Sequence, residues 1–255
     1  MARDPIEVLD ERAAPPARTS SYGTDPAQVY DVRLPAADAP PRGLGVVVVH
    51  GGFWREGYDR GHAGPQAQAL ADAGYPTAVV EYRRTGMAGG GWPGTADDVR
   101  AAVAAVRADP DLAGPLVLVG HSAGGQLCAW AAGQAWAHGL RGVVSLAGVL
   151  DLAHGQATDV GAGAIGAFLG GTPAEVPDTY AAADPMWLPP GIPVVVVHAR
   201  DDDQVPFELG ERYAAAHRGP NVRLVAVPDG GHYALIDPHS TQFGQVLAAL
   251  DLLSS

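Results

Sequence analysis

Residues 115–125 read PLVLVGHSAGG, and this stretch decides the fold. Pro115–Gly120 is an aliphatic run that predicts a strand buried on both faces. The alanine-rich segment Ala123–Trp136 follows at once and predicts a helix. Between the two lies Gly120–Gly124, which matches the pattern G-x-S-x-G and places Ser122 in a turn from strand to helix.

A serine in such a turn adopts a strained backbone conformation, and small flanking residues let the strand and the helix pass closely. The turn presents the hydroxyl at the carboxyl edge of the sheet, where α/β sheets bind ligands. It also places the N–H of Ala123 in the first turn of the helix, aimed where an oxyanion would form. The context therefore predicts that Ser122 is a nucleophile, the alternative being an ordinary turn.

Further aliphatic runs bounded by glycine and proline lie on both sides of this turn and predict the rest of a sheet. They are Tyr30–Leu34, Gly45–His50, Thr77–Tyr82, Gly142–Ala147, Pro193–His198 and Val222–Val227. Segments with helical spacing alternate with them: Gly64–Ala73, Thr95–Arg107 with Thr95 as its cap, Glu208–Ala216 and Ser240–Leu253. This alternation predicts a doubly wound, mostly parallel α/β sheet with helices on both faces.

The length of 255 residues, 47% of them hydrophobic, suits one domain. Residues 1–28 are polar and proline-rich, and we expect a loosely packed N-terminal lead-in there, followed by a single domain over residues 29–255. Residues 151–191 replace a short crossover with a long segment rich in glycine, alanine and proline. Such an insertion predicts either a lid over the site or a passive surface excursion.

The overall negative charge argues against partners that are themselves strongly negative. The chain has 28 acidic and 16 basic residues, a formal net charge of −12, which argues against binding to nucleic acid or to an anionic membrane. Its one cysteine, Cys128, forms no intrachain disulfide, and no apolar run is long enough to cross a bilayer or act as a secretory signal. We expect a cytoplasmic protein whose partner is a small-molecule substrate.

A serine hydroxyl needs a base, and the base needs an orienting carboxylate. His232 lies just after the last predicted strand, in the sequence DGGHY (residues 229–233), where two glycines allow a tight loop over Ser122. The acid is expected after the preceding strand, where Asp201, Asp202 and Asp203 follow one another. The spacing alone leaves the choice among these three carboxylates open.

Four motifs in this order carry a family resemblance: HGGFW at His50–Trp54, GHSAGG at Gly120–Gly125, DDQVP at Asp202–Pro206, and Gly231-His232. Together they resemble the α/β-hydrolase superfamily, in particular the esterase/lipase branch that includes the kynurenine formamidases (arylformamidases), whose mark is H-G-G-x-W. The resemblance implies an α/β-hydrolase fold with a short lid insertion and extends from about Tyr22 to the C-terminus.

The resemblance also implies roles for individual residues. Asp202 is the acid, because the family's carboxylate stands three residues before the valine of the Asp-x-x-Val-Pro turn. The backbone N–H groups of Gly52 and Phe53, joined by that of Ala123, form the oxyanion hole. Phe53 replaces the third glycine of related esterases, so Gly51 remains an alternative donor.

Other patterns are weaker. Gly161–Gly166 matches G-x-G-x-x-G but follows no predicted strand, and the histidines lack metal-ligand spacing. We therefore expect no cofactor and no metal. Four large aromatic residues either line an apolar pocket or belong to the core: Trp54, Tyr82, Phe168 and Trp187.

The sequence thus predicts a serine hydrolase that cleaves small carboxylic esters or N-formyl amides, like an esterase or an arylformamidase. His232 accepts the proton of Ser122, an acyl-enzyme forms, and water releases it while Asp202 orients the imidazole. Two alternatives remain: an acyltransferase that uses the same triad, and a catalytically inactive binding protein on this fold.

Overall fold

The computed structural model describes residues 4–254, and at its centre is one sheet of eight strands. In chain order the strands are β1 (Arg18–Ser21), β2 (Val29–Arg33), β3 (Gly45–Val49), β4 (Thr77–Val80), β5 (Leu116–His121), β6 (Gly142–Leu146), β7 (Val194–Ala199) and β8 (Val222–Val227). They lie side by side in the order β1-β2-β4-β3-β5-β6-β7-β8. The first two pairings, β1 with β2 and β2 with β4, are antiparallel, and all the others are parallel.

Helices cover both faces of this sheet. They are α1 (Gly64–Asp72), α2 (Gly94–Ala108), α3 (Ala123–Ala132), α4 (Leu152–Ala157), α5 (Ala164–Leu169), α6 (Pro177–Ala183), α7 (Glu208–Ala216) and α8 (Phe243–Leu253). Alternate residues of β3 face opposite sides, as in any strand. Val47 and Val49 belong to one hydrophobic core, whereas Val46 and Val48 belong to the other. These two cores confirm the predicted doubly wound, mostly parallel α/β sheet with helices on both faces.

The register of the parallel strands decides which loops meet. Val49 of β3 pairs with Gly120 of β5, so the loop after β3 and the turn at Ser122 begin at the same level. At the other side, Ala199 of β7 pairs with Val227 of β8, which brings the loops that follow these two strands together. The carboxyl edge of the sheet thus gathers the segments that the sequence singled out.

Several helix boundaries differ from the prediction, and α8 begins at Phe243 where Ser240 was predicted. Helix α2 begins at Gly94, and Thr95 is not its cap, because the Thr95 hydroxyl donates a hydrogen bond to the carbonyl of Arg83 at 2.6 Å. Helix α3 ends at Ala132 with Gly133 as its C-cap, short of the predicted end. Within residues 4–254, no helix is long and apolar enough to span a membrane.

The predicted N-terminal lead-in is more ordered than its composition indicated. It contributes β1, whose Arg18 pairs with Val32 of β2, so the sheet begins before the predicted boundary at residue 29. It also contains a 3₁₀ turn at Pro5–Leu9, from which Val8 is fully buried in the core on the α1 and α8 side of the sheet. Strand β1 itself is polar, because a half-exposed edge strand needs little apolar surface.

The insertion over residues 151–191 folds into α4, α5 and α6. It contacts the loop after β3 directly, because the guanidinium of Arg55 donates hydrogen bonds to the carbonyls of Gly161 and Ala162 at 2.7 and 3.0 Å. The insertion is therefore tied to the same edge of the sheet as Ser122.

Candidate functional site

Ser122 occupies the sharp turn between β5 and α3 with φ 54° and ψ −118°. A positive φ is unfavourable for a residue with a side chain, at a cost of about 1–3 kcal/mol. The turn is held by a hydrogen bond from the Ser122 N–H to the carbonyl of Leu146 at 2.9 Å. The glycine at position 124 is sterically required, because a Cβ atom there would lie 2.0 Å from the carbonyl oxygen of Val49. The strained turn that the sequence predicts is present.

His232 lies in the loop after β8, where Gly230 and Gly231 have φ values of 122° and 60°. The N–H groups of these two glycines donate hydrogen bonds to the carboxylate of Asp201 at 3.2 and 2.9 Å. The imidazole Nδ1 of His232 lies 2.8 Å from Oδ2 of Asp202. Asp201 therefore anchors the backbone of the loop, and Asp202 holds the ring.

The carboxylate of Asp202 is buried and has several donors. Its Oδ1 accepts hydrogen bonds from the N–H groups of Gln204 and Val205, both at 2.9 Å. Nε2 of His198 lies 3.3 Å from Oδ2, the same oxygen that faces His232. Burial alone raises the pKa of Asp202, but hydrogen bonds from His198 and His232 outweigh it and hold that pKa well below its usual range. The group is therefore ionised at neutral pH.

The loop that follows β3 has an unusual backbone. Gly52, Phe53 and Trp54 have φ values of 107°, 52° and 54° in succession. Gly51 lies directly against the turn, since a Cβ atom there would come within 3.1 Å of the Cβ atom of Ser122. Gly52 and Phe53 line the same cavity as the Ser122 side chain. Three of the four residues predicted to supply or replace oxyanion donors thus lie beside Ser122, and Ala123 follows it in the chain.

A buried charged network supports the base of this loop. Nε2 of His50 donates to the carboxylate of Glu81 at 3.0 Å, and the Tyr82 hydroxyl donates to the carbonyl of His50 at 2.7 Å. Arg84 also donates to Glu81, at 2.8 Å. Burial raises the pKa of Glu81, but the hydrogen bond from His50, with the N–H of Arg60 and the charge of Arg84, lowers it to about 2. The loop therefore starts from a fixed, ionised anchor.

The cavity at Ser122, called the serine cavity below, has a volume of about 30 Å³. Its lining is Leu9, Gly52, Phe53, Tyr58, His62, His121, Ser122, His232 and Tyr233. Two larger cavities share residues with it. Phe53 also borders an insertion-side cavity of about 410 Å³, which is lined by Arg55, residues 158–162, Asp203, Gln204 and Pro206. Leu9, Tyr58 and His62 also border an N-terminal cavity of about 450 Å³.

Several residues of the serine cavity were not predicted from the sequence. Leu9, Tyr58 and His62 carry no motif, and His121 is the variable position of G-x-S-x-G. Burial, helped by the neighbouring His50, lowers the pKa of His62 to about 4. Burial also holds the pKa of His121 well below its usual value, and its Nε2 donates to the carbonyl of His232 at 2.9 Å. Both rings are therefore neutral at pH 7.

The four large aromatic residues that were candidates for an apolar pocket do not line the serine cavity. Trp54 and Phe168 are buried and stacked, with ring centroids 4.6 Å apart, and Tyr82 is stacked on His50 at 4.3 Å. Trp187 is 68% exposed. Among residues 4–254, no group of three or more His, Cys, Asp or Glu side chains is arranged to hold a metal ion.

Comparison with known protein families identifies one family that this chain matches. A protein-family model described as BD-FAE matches residues 30–216. No curated protein sequence matches the chain.

Several solved structures resemble this one closely in fold. Esterase B from Lactobacillus Rhamnosis is 17% identical, with a TM-score of 0.74 over 98% of this chain and 90% of that one. An esterase from Thermogutta terrifontis is 20% identical, with a TM-score of 0.72 over 96% and 95% of the two chains. A bifunctional GH43-CE protein from Bacteroides eggerthii is 20% identical with a TM-score of 0.74, and although 92% of this chain aligns, it spans only 35% of that protein. At these identities the likeness establishes the α/β-hydrolase fold.

Proposed function

Because the chain belongs to the BD-FAE family, we propose that it is a serine hydrolase that cleaves small carboxylic esters through an acyl-enzyme on Ser122. One observation carries the proposal: the His232 ring, held by Asp202 at 2.8 Å, lines the same small cavity as Ser122. Structural neighbours described as esterases support the same chemistry.

The proposed reaction has two steps. His232 removes the proton of the Ser122 hydroxyl while the oxygen attacks the ester carbonyl, and then protonates the departing alcohol. Water enters, gives a proton to His232, and releases the acid from Ser122 by the same path. Asp202 keeps the proton of the resting imidazole on Nδ1, which leaves Nε2 free to act as base, and it stabilises the imidazolium.

Backbone donors stabilise the tetrahedral oxyanion in this proposal. Gly52, Phe53 and Ala123 each have an N–H group, and the first two line the serine cavity. Such donors are fixed before the reaction begins and act in a site from which most water is excluded, where each is worth about 2.7–4 kcal/mol of transition-state stabilisation. The bend at Gly52 and Phe53, with two positive φ values, supports the placement of the donors there.

The size of the site favours a small acyl group. The serine cavity of about 30 Å³ has room for only a few atoms. An acetyl group fits this limit, and so does a formyl group, the smallest acyl group. We therefore extend the proposal to aryl N-formyl amides such as N-formylkynurenine, as the H-G-G-x-W resemblance suggests. The insertion over residues 151–191 borders the larger cavity in which the rest of a small-molecule substrate would lie.

The test is a comparison of kcat/KM for p-nitrophenyl acetate, a long-chain p-nitrophenyl ester and N-formylkynurenine, with Ser122→Ala as the control. We expect the acetate to be cleaved well and the long-chain ester poorly. A formamide value several orders of magnitude below the acetate value would contradict the formamidase extension. Product analysis with added alcohols distinguishes hydrolysis from acyl transfer, and failure of every substrate would favour the inactive binding protein.

A further inference from the structure

The 3₁₀ turn at Pro5–Leu9 is anchored to the domain on one side of the active site. Val8 is fully buried in the same hydrophobic core as Ala63 and Ala67. The next residue, Leu9, is half-buried against this core, and its carbonyl accepts a hydrogen bond from Arg12 at 3.1 Å. Packing of Val8 and Leu9 and the hydrogen bond from Arg12 therefore fix the position of Leu9, although the turn lies outside the central sheet.

Leu9 belongs to a partition between two cavities. Leu9, Tyr58 and His62 line the serine cavity of about 30 Å³ and also the N-terminal cavity of about 450 Å³. These three side chains therefore separate the space at Ser122 from a much larger space.

Two members of the partition pack against the loop after β3 or against its base. Tyr58 packs on the loop after β3, because a Cβ atom at Gly52 would lie 2.3 Å from the Cβ atom of Tyr58. His62 meets the ring of His50 edge to face, with centroids 5.4 Å apart, and is itself buried. Leu9 comes from a separate part of the chain, and its apolar side chain makes no hydrogen bond to Tyr58 or His62. It is thus the member that can be resized with the least effect on the loop at Gly52.

The insertion-side cavity lies beside the segment that holds His232. His232 must reach the oxygen of the departing alcohol, and its ring is held by Asp202. Asp203 and Gln204, the two residues that follow Asp202 in the chain, line the insertion-side cavity. This arrangement favours the insertion side for the alcohol and the N-terminal side for the acyl group.

We propose that Leu9 is a specificity-determining residue whose side chain closes the acyl end of the serine cavity and limits substrates to esters of short acids. This inference rests on the proposed ester hydrolysis at Ser122. The limit is sharp, because one methylene too many or too few in an apolar pocket changes kcat/KM by about 10- to 200-fold. An N-terminal segment that the composition marked as a lead-in is thereby part of the active site.

The experiment measures two ester series with the full chain and with Leu9→Ala. The first series varies the acid, from p-nitrophenyl acetate to octanoate, and the second varies the alcohol, from ethyl to octyl acetate. We expect Leu9→Ala to raise the ratio of kcat/KM for octanoate over acetate at least about ten-fold. We expect the ratios within the alkyl acetate series to stay within about three-fold of the wild type. The opposite change, Leu9→Phe, should lower the ratio of butyrate over acetate about ten-fold.

The matched control is Ile6→Ala, because Ile6 lies on the same turn, is 45% exposed and, of the three cavities described above, borders the N-terminal one alone. Its acyl profile should equal that of the wild type, and thermal unfolding of each variant checks the fold. Unchanged profiles in both Leu9 variants would overturn the partition, and a response confined to the alkyl acetates would overturn its assignment to the acyl end. In both cases wild-type ester hydrolysis would stand, whereas a wild type inactive on every ester would overturn the proposed function itself.

Discussion

Oδ2 of Asp202 lies 2.8 Å from Nδ1 of His232, and both side chains are almost completely shielded from water. The neighbouring carboxylates have other positions: Asp201 accepts hydrogen bonds from the backbone of the His232 loop, and Asp203 borders the insertion-side cavity. In a buried pair of this kind the carboxylate decides which ring nitrogen bears the proton. The three consecutive aspartates therefore have separable roles.

Substitution of Asp202 and Asp203 tests this separation. Asp202→Asn should lower kcat by about 10⁴-fold, because the amide holds the imidazole in the wrong tautomer while the geometry survives. Asp203→Asn, the matched control on a more exposed neighbour, should stay within about ten-fold of the wild type. Steady-state kinetics on p-nitrophenyl acetate measures both. A crippled Asp203→Asn enzyme beside an active Asp202→Asn enzyme would show that the assignment is wrong by one residue.

The loop after β3 yields a second prediction. Gly52→Ala should lower kcat/KM by about 10²- to 10³-fold, because a Cβ atom at this positive φ would lie 2.3 Å from Tyr58 and displace an oxyanion donor. Phe53→Ala keeps its backbone N–H and should lose less than about ten-fold. Kinetics and thermal unfolding of the two variants separate catalysis from folding. Equal losses in both would contradict donation by the backbone.

His62 predicts a pH dependence of stability. Burial lowers its pKa from 6.5 to about 4, so the unfolded chain binds this proton at a higher pH than the folded protein does. The contribution of neutral His62 to the free energy of unfolding is complete above pH 6.5 and is lost as the pH falls toward 4. The loss amounts to about 3 kcal/mol of the free energy of unfolding.

The measurement is urea unfolding of the wild type and His62→Gln between pH 7 and 4. The wild type should lose more free energy of unfolding on acidification than the variant, by up to about 3 kcal/mol. His239→Gln is the control, because its side chain is 64% exposed. Parallel pH profiles for the wild type and His62→Gln would contradict a neutral, buried His62.

The central strands and the turn at Ser122 could be predicted from the sequence because their signals are local. Valine runs such as Gly45–Val49 are buried at every residue, and glycines beside Ser122 permit the close approach of strand and helix. The choice of Asp202 among three carboxylates needed more than spacing. It came from the resemblance at the Asp-x-x-Val-Pro turn, because an offset of one residue decides which carboxylate points at an imidazole.

The remaining wall of the site could not be predicted, for a physical reason. Leu9, Tyr58 and His62 meet only after the N-terminal turn packs on the domain, and no local pattern records that contact. Strand β1 was missed because the sequence RTSS at Arg18–Ser21 lacks an apolar run, and edge pairing supplies its hydrogen bonds. Hydrophobic periodicity therefore does not predict tertiary contacts made by polar residues or by isolated apolar residues.

The most direct test of the account is covalent labelling with a fluorophosphonate, located by peptide mass spectrometry. Ser122 should carry the single adduct, and Ser122→Ala should take up no probe and lose at least about 10⁴-fold in turnover of p-nitrophenyl acetate while its thermal unfolding stays unchanged. The same probe on Asp203→Asn should react normally. An adduct on another residue, or near-normal turnover by folded Ser122→Ala, would contradict a serine hydrolase that acts through Ser122.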